Sequence, residues 1–215
     1  MMIKDTLICK KNICKICFKE ISDYSFFSLL NPNNNLCEDC FSKFSPKFIH
    51  FKIENYDGLA IYEYDQNIKE LLYTFKGCYD YELKDVFLDR YIRYLRMVYH
   101  GYIVVPIPSY YLDDDRRGFN HVIEIYNRLK LKVEKVLIKT KKEKQANKKL
   151  KDRVKVGDIF AIRHLETVKN KKVLIVDDVM TTGSSIKAAI NLIKQGHPKK
   201  IKVLVVARGV KKAAT

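Results

Sequence analysis

Glycine and proline are scarce, with 8 and 5 copies in 215 residues. So few flexible and helix-breaking residues exclude a linker-dominated or low-complexity chain. No apolar run approaches the roughly 20 residues that a helix needs to cross a membrane. The opening MMIKDTLICKK has neither the apolar centre nor the small-residue cleavage site of a secretory signal. A cytoplasmic protein is therefore expected. Acids are the minority charge, 25 Asp plus Glu against 41 Lys plus Arg, for a net of +16. Such a surplus suits a polyanionic partner: nucleic acid, a phosphorylated metabolite or an acidic membrane surface. A lysine-rich composition without functional meaning would give the same total. Arginine is absent from residues 1–50, and acids offset part of the lysine there, which argues against DNA contact by that segment.

What is present is unevenly placed. From Lys139 to Lys155, KTKKEKQANKKLKDRVK holds eight Lys and one Arg against two acids, a local net of +7. Five of the six cysteines lie in residues 1–50, with an Asn-rich turn, 31-NPNNN-35. At about Tyr56 the pattern changes, which divides the chain into a cysteine module (1–50) and a larger domain (51–215). LAIYEY (59–64) alternates like a strand, and DQNIKELLYTFKGC (65–78) reads as a helix capped by Asp65 and ended by Gly77. Leu83, Val86, Phe87, Tyr91, Tyr94, Leu95 and Val98 recur at helical spacing through residues 80–99. YIVVPIP (102–108), VEKVLIKT (133–140), DIFAI (158–162), KVLIVDD (172–178) and IKVLVVA (201–207) are expected strands. FNHVIEIYNRL (119–129) and SSIKAAINLIKQGHP (184–198) are expected helices. Alternating strands and helices imply a largely parallel sheet flanked by helices, an α/β fold with ligands beyond the carboxyl ends of its strands.

The cysteines form two C-x2-C pairs, 14-CKIC-17 and 37-CEDC-40, nineteen residues apart. Each pair can turn two thiolates to one side of a tight knuckle, and two knuckles complete a tetrahedral sulfur site. Cys14, Cys17, Cys37 and Cys40 are therefore candidate ligands of a structural Zn2+, with independent thiols or a redox pair as the alternative. Cys9 and Cys78 fall outside the pairing and read as ordinary thiols, with Cys9 as the alternative ligand.

The stretch 173-VLIVDDVMTTGSS-185 carries the chemistry. Asp177 and Asp178 end an apolar strand, where they can accept the two hydroxyls of a vicinal diol in charge-assisted bonds of roughly 1.5–3 kcal/mol each. Thr181, Thr182, Gly183, Ser184 and Ser185 then open a helix whose free N–H groups and dipole seat a phosphate. Gly183 lets the backbone approach the anion. A ribose 5-phosphate satisfies both halves. Two solvated aspartates before a capped helix is the plainer alternative.

This stretch resembles the phosphoribosyl diphosphate (PRPP) signature of type I phosphoribosyltransferases. The resemblance implies a type I phosphoribosyltransferase-like fold, with Asp177 and Asp178 on the ribose and Thr181 to Ser185 on the 5-phosphate. It further implies a diphosphate loop at Pro108, Ser109 and Tyr110, Mg2+ bound with PRPP, and a hood over the site. The order of paired CxxC, IKELLYTFKG, VVPIPS, RRGFN, a lysine-rich segment with Gln145 and Arg153, and the PRPP motif is similar to the ComF (ComFC) family. These are competence proteins of naturally transformable bacteria. In RGFN, Arg117 is the residue suited to phosphate. Asp115 stands where relatives carry another Arg, Lys142 replaces a usual Thr, and an Asn expected after Arg153 is missing.

Three functions follow from the resemblance. One is a PRPP-binding competence protein acting on incoming single-stranded DNA in the cytoplasm, or at the inner membrane through DNA-uptake or recombination partners. The others are a phosphoribosyltransferase of nucleotide metabolism and a PRPP-sensing RNA-binding regulator. Lys148, Lys149, Lys151 and Arg153 would supply a basic groove for nucleic acid. The Tyr and Arg of 91-YIRYLRMVYHGY-102 would add stacking, although most of those Tyr fall on the core face. Thr181 stands where purine-salvage relatives carry a third carboxylate, so no general base is evident and turnover stays open.

Overall fold

The computed structural model describes residues 13–21, 35–109, 111–139 and 160–209. Among these, seven strands form: β1 (Ile49–Ile53), β2 (Tyr56–Glu63), β3 (Tyr102–Pro106), β4 (Leu137–Lys139), β5 (Phe160–Ile162), β6 (Lys172–Met180) and β7 (Lys200–Arg208). Five make the central sheet in the order β1-β2-β7-β6-β3, while β4 and β5 pair separately as an antiparallel ribbon. β2, β7, β6 and β3 run parallel, and β1 is an antiparallel edge. Both faces are covered. Along β6, Leu174 and Val176 enter one core while Val173 and Ile175 enter the other. A strand buried on two sides needs an unbroken apolar run rather than alternation, and VLIV and VLVV supply it.

Six helices form among the described residues: α1 (Glu38–Ser42), α2 (Gln66–Lys76), α3 (Ile92–Val98), α4 (Tyr111–Arg117), α5 (His121–Asn127) and α6 (Ser184–Ile193). α2 starts where the Asp65 side chain accepts the Ile68 N–H at 2.9 Å. Its buried Ile68, Leu71, Leu72 and Phe75 make one face at helical spacing. On the opposite side of the sheet, α6 buries Ile186, Ala189, Ile190 and Ile193 in the same way. Each large aliphatic side chain buried like this contributes roughly 1.5–3 kcal/mol. α5 opens under the Asn120 side chain, which accepts the Ile123 N–H at 2.9 Å. The Tyr126 hydroxyl pins α5 to the sheet through the carbonyls of Asp177 (2.9 Å) and Leu204 (3.1 Å).

Residues 80–99 are not one helix. Two 3-10 turns, Tyr81–Asp85 and Asp89–Tyr91, precede α3. The interruption brings Asp85 and Asp89 together under Arg128, at 2.8 and 2.6 Å. Leu83, Val86, Phe87 and Leu95 are buried as the periodicity predicts, but Tyr94 is 46% exposed. Tyr99 and Tyr102 belong to the core, so they offer no stacking surface.

The cysteine segment is docked on this helical layer. Cys14, Leu36, Cys40 and Phe44 join its core. Lys15 bridges Asp85 (2.8 Å) and Glu82 (3.0 Å), and Arg90 reaches Glu38 at 3.0 Å while stacking over Phe41. Where β1 meets β2, Gly58 faces Phe51 in register, and a Cβ there would come within 2.2 Å of the Phe51 ring. Gly58→Ala is therefore expected to cost about 1–3 kcal/mol in chemical denaturation, through overpacking of a buried ring. Among the described residues no helix is long and apolar enough to cross a membrane.

Candidate functional site

The carboxyl end of β6 carries both aspartates. Asp178 is buried and faces the helical layer, where Lys76, the last residue of α2, donates from Nζ to its Oδ2 at 2.5 Å. His121, the first residue of α5, lies 3.2 Å away through Nε2. Arg117 Nη1 sits 3.0 Å from His121 Nδ1. A guanidinium has no lone pair to offer, so Nδ1 accepts and Nε2 carries the proton given to Asp178. Burial opposes ionisation of Asp178, but the His121 hydrogen bond and the Lys76 charge hold its carboxyl well below the usual carboxylate range. Asp177 has the opposite environment. Burial, then the Asp178 charge, push its carboxyl well up. Its Oδ1 accepts the Asp178 N–H at 2.9 Å.

Asp177, Thr181, Thr182, Gly183, Ser184 and Ser185 line one small cleft. Gly183 adopts φ +77° as the residue before α6, a left-handed conformation that favours glycine. Thr182 and Ser184 hydroxyls meet at 2.9 Å. Thr181, Thr182 and Ser184 are exposed, and the first N–H groups of α6 have no intrahelical acceptor. Carboxylate, hydroxyls and backbone donors thus open onto one space.

A second cleft, about 500 Å3, is lined by Pro108, Asp114, Asp115, Gly118, Phe119 and Asn120, among others. Beside it lies a closed polar network. Asp114 accepts from Ser109 Oγ (2.5 Å), Arg117 Nη1 (3.0 Å) and Asn120 Nδ2 (2.7 Å). Arg117 also donates from Nε to the Lys76 carbonyl at 2.9 Å, and its side chain is only 8% exposed. The donors expected to meet a diphosphate are therefore gathered on one carboxylate of the chain itself. Arg117 links that network to Asp178 through His121.

At the other end, the sulfurs of Cys14, Cys17, Cys37 and Cys40 all lie within 4.8 Å of one another, with Cys17 and Cys37 at 3.7 Å. A tetrahedral zinc with Zn–S near 2.3 Å needs sulfurs about 3.8 Å apart, so the four thiols fit that ion. Burial works against the Cys14 thiolate, but the N–H groups of Cys17, Cys37 and Ile16 bring its pKa down to about 6. Burial and the neighbouring thiols push Cys40 up, a proton that a divalent cation would displace.

A phosphoribosyl transferase domain model matches residues 115–214, which include β6, the Thr181–Ser185 turn and part of the second cleft's lining. The chain is 26% identical over 218 residues to the competence protein ComFC of Bacillus subtilis, covering 86% of this chain and 90% of that protein. It is 27% identical over 221 residues to ComFC of Streptococcus pneumoniae, covering 91% and 98%. The chain is similar to ComFC proteins over nearly its whole length and carries a phosphoribosyl transferase domain. The fold is type I phosphoribosyltransferase-like, with four N-terminal cysteines grouped as for a metal. Among solved structures it is similar to a hypoxanthine phosphoribosyltransferase of Staphylococcus aureus (13% identity, 61% of this chain and 69% of that one, TM-score 0.38). A purine phosphoribosyltransferase of Pyrococcus horikoshii is another such neighbour (18%, 58% and 82%, TM-score 0.37).

The structure brings together Asp177 with Thr181 to Ser185, Ser109 with Arg117, and the four cysteines. Tyr110, Gln145, Lys142, Lys148, Lys149, Lys151, Arg153 and Cys9 lie outside the described residues. Lys76 and His121 were not singled out from the sequence. Their positions carried a signal: Lys76 and His121 sit at the ends of helices that point at the strand termini, next to the Gly77 stop and the Asn120 cap.

Proposed function

We propose that this chain is a PRPP-binding competence protein that handles incoming single-stranded DNA in the cytoplasm of a transformable bacterium, with DNA-uptake or recombination proteins as partners. The observation that carries the reading is the single cleft shared by Asp177 and the Thr181–Ser185 turn, with the ionised Asp178 behind it. Asp177 and Asp178 hold the ribose hydroxyls. Thr181, Thr182, Gly183, Ser184 and Ser185 hold the 5-phosphate. Pro108, Ser109, Tyr110 and Arg117 form the diphosphate loop. Cys14, Cys17, Cys37 and Cys40 hold a structural Zn2+ in a module of residues 1–50 docked on a domain of residues 51–215. Lys148, Lys149, Lys151 and Arg153 contribute to nucleic-acid binding.

Mg2+ fits the same site. Asp177 is a carboxylate whose ionisation burial and Asp178 oppose, so a cation arriving with the ligand relieves an existing cost. When bound, Mg2+ would neutralise the diphosphate, and Asp177 is the residue placed to face it. The reading concerns binding, and Thr181 supplies no base.

Asp114 has a specific part. Its carboxylate occupies Ser109 and Arg117 of the diphosphate loop, together with Asn120, so ligand and side chain exchange places. Asp114→Asn removes the competing charge and is expected to tighten calorimetric binding of Mg2+–PRPP by roughly tenfold. Unchanged or weaker binding would mean that Asp114 supports the loop and does not compete for it. The wider reading is tested with labelled oligo(dT), with and without PRPP and Mg2+. Salt-sensitive single-strand binding is the expected result. Base-dependent release of diphosphate would move the protein to nucleotide metabolism, and preference for a structured RNA would make it a regulator.

A further inference from the structure

The end of the sheet opposite the aspartates is strongly basic. β6 begins at Lys172 and β7 at Lys200, and these two lysines are direct register partners on neighbouring parallel strands. Lys171 and Lys199 precede them, joined by the Lys199 N–H to Lys171 carbonyl bond at 2.8 Å. Lys169 and Lys202 flank the four. Asn170 and His197 hold left-handed turns (φ +57° and +51°) and are themselves bonded, N–H to carbonyl, at 3.0 Å. The two lysine-bearing turns are thus locked to each other. Five of the six side chains are exposed, and Lys202 is half-buried above the edges of Tyr99 and Tyr102.

Among the described residues none of the six forms an ion pair. Of the nearby acids, Glu54 pairs with Lys194 and Glu134 with Lys132, while Asp57 precedes the Gly58–Val203 register pair and so lies beside Lys202. Like charges directly opposite on neighbouring strands repel. A merely lysine-rich composition would scatter charge over the surface. Here the fold fixes lysine against lysine, and a polyanion would remove the repulsion that remains beside Asp57.

We infer that this rim is a nucleic-acid surface that grips a strand by its phosphates, without reading or stacking bases. Among the described residues none of the seven exposed large hydrophobic side chains belongs to these two turns, so the rim has no large apolar side chain to insert into a lipid layer. Lysine is a point charge with no planar fork for base edges. Lys172 and Asp178 are six residues apart on one extended strand, about 20 Å, so nucleic acid here leaves the phosphoribosyl cleft free. The inference rests on the nucleic-acid half of the function proposed above and is independent of its PRPP half.

The test is fluorescence anisotropy of labelled oligo(dT) across a salt series, with the full chain and a Lys171→Gln, Lys172→Gln, Lys199→Gln, Lys200→Gln variant. Four phosphate contacts at about 0.7 each would flatten the slope of log K against log salt by roughly 2–3 and weaken low-salt binding at least tenfold. Because the substitutions remove repulsion, the variant should melt no lower than the parent and should bind Mg2+–PRPP unchanged. A parent that binds oligo(dT) and a variant with the same slope would overturn the rim assignment while leaving the DNA reading standing. A parent without oligo(dT) binding would sink the DNA reading itself. Loss of binding only to phosphatidylglycerol vesicles, with oligo(dT) binding intact, would assign the rim to a membrane and overturn the inference.

Discussion

Asp177→Ala is expected to weaken Mg2+–PRPP binding by roughly 10- to 100-fold, the 1.5–3 kcal/mol of one charge-assisted bond, without loss of fold. The sign of the stability change distinguishes this residue from an ordinary core position. Burial and Asp178 raise the Asp177 carboxyl, so the stability it contributes is fully present below the unfolded value near 3.9 and is lost as pH rises through its folded value. At neutral pH the alanine variant should therefore match or exceed the parent in thermal melting. Asp178 is the reverse. Its carboxyl is depressed, so its contribution is present above about 3.9 and is lost as pH falls through its folded value. Asp178→Ala should lose ligand binding and neutral-pH stability together, because Lys76 and His121 lose their shared partner. Calorimetry at pH 7 and melting curves from pH 3 to 8 read both effects. Equal behaviour of the two variants in the melting series would contradict the division of roles.

The second large effect is at the cysteines. Cys37→Ser is expected to reduce bound zinc from about one ion per chain to a trace, read by native mass spectrometry. The consequence should not stay local. Cys14, Leu36 and Cys40 are part of the core shared with α2 and α3, and Lys15 and Asn35 hold Asp85 and Asp89. Loss of the metal is expected to cost about 3 kcal/mol or more in global stability and to speed hydrogen exchange across residues 81–92. Unchanged metal content would refute the zinc site. Unchanged exchange at 81–92, with metal lost, would show that the module is only tethered.

The sheet centre was the most legible part of the sequence. Strands β6 and β7 are buried on both faces, and continuous VLIV and VLVV runs permit little else. The α2 helix was equally plain, since Asp65 and Gly77 mark its ends. β1 escaped because IHFKI is short, mixed and placed at the edge, where one side of the ladder faces solvent. α4 escaped because YLDDDRR has no apolar period. The helical spacing across 80–99 gave the right buried residues but the wrong continuity. Ion pairs from Arg128 and Lys15, distant in sequence, decide that geometry.

The site was legible in the same graded way. Adjacent aspartates and a hydroxyl-rich turn announce themselves, and so does paired CxxC spacing. What a local motif cannot disclose is the chain of groups that sets each charge. The route Arg117–His121–Asp178, with Lys76 joining from α2, spans residues about 100 positions apart and exists only once the sheet brings β6 beneath two helices. Asp114 was visible as an acid beside a diphosphate loop, and the structure adds what it does there: it collects the loop's donors. The six-lysine rim likewise needs the register of β6 against β7 before it becomes one surface.

One titration bears on all of this: the full chain against PRPP in the presence of Mg2+, repeated without Mg2+ and with Asp177→Ala. Saturable binding of about one PRPP per chain, dependent on Mg2+ and weakened roughly tenfold or more in the variant, is the expected result. No binding at millimolar PRPP, or binding equally strong in the variant, would show that the cleft at the end of β6 does not hold a phosphoribosyl group.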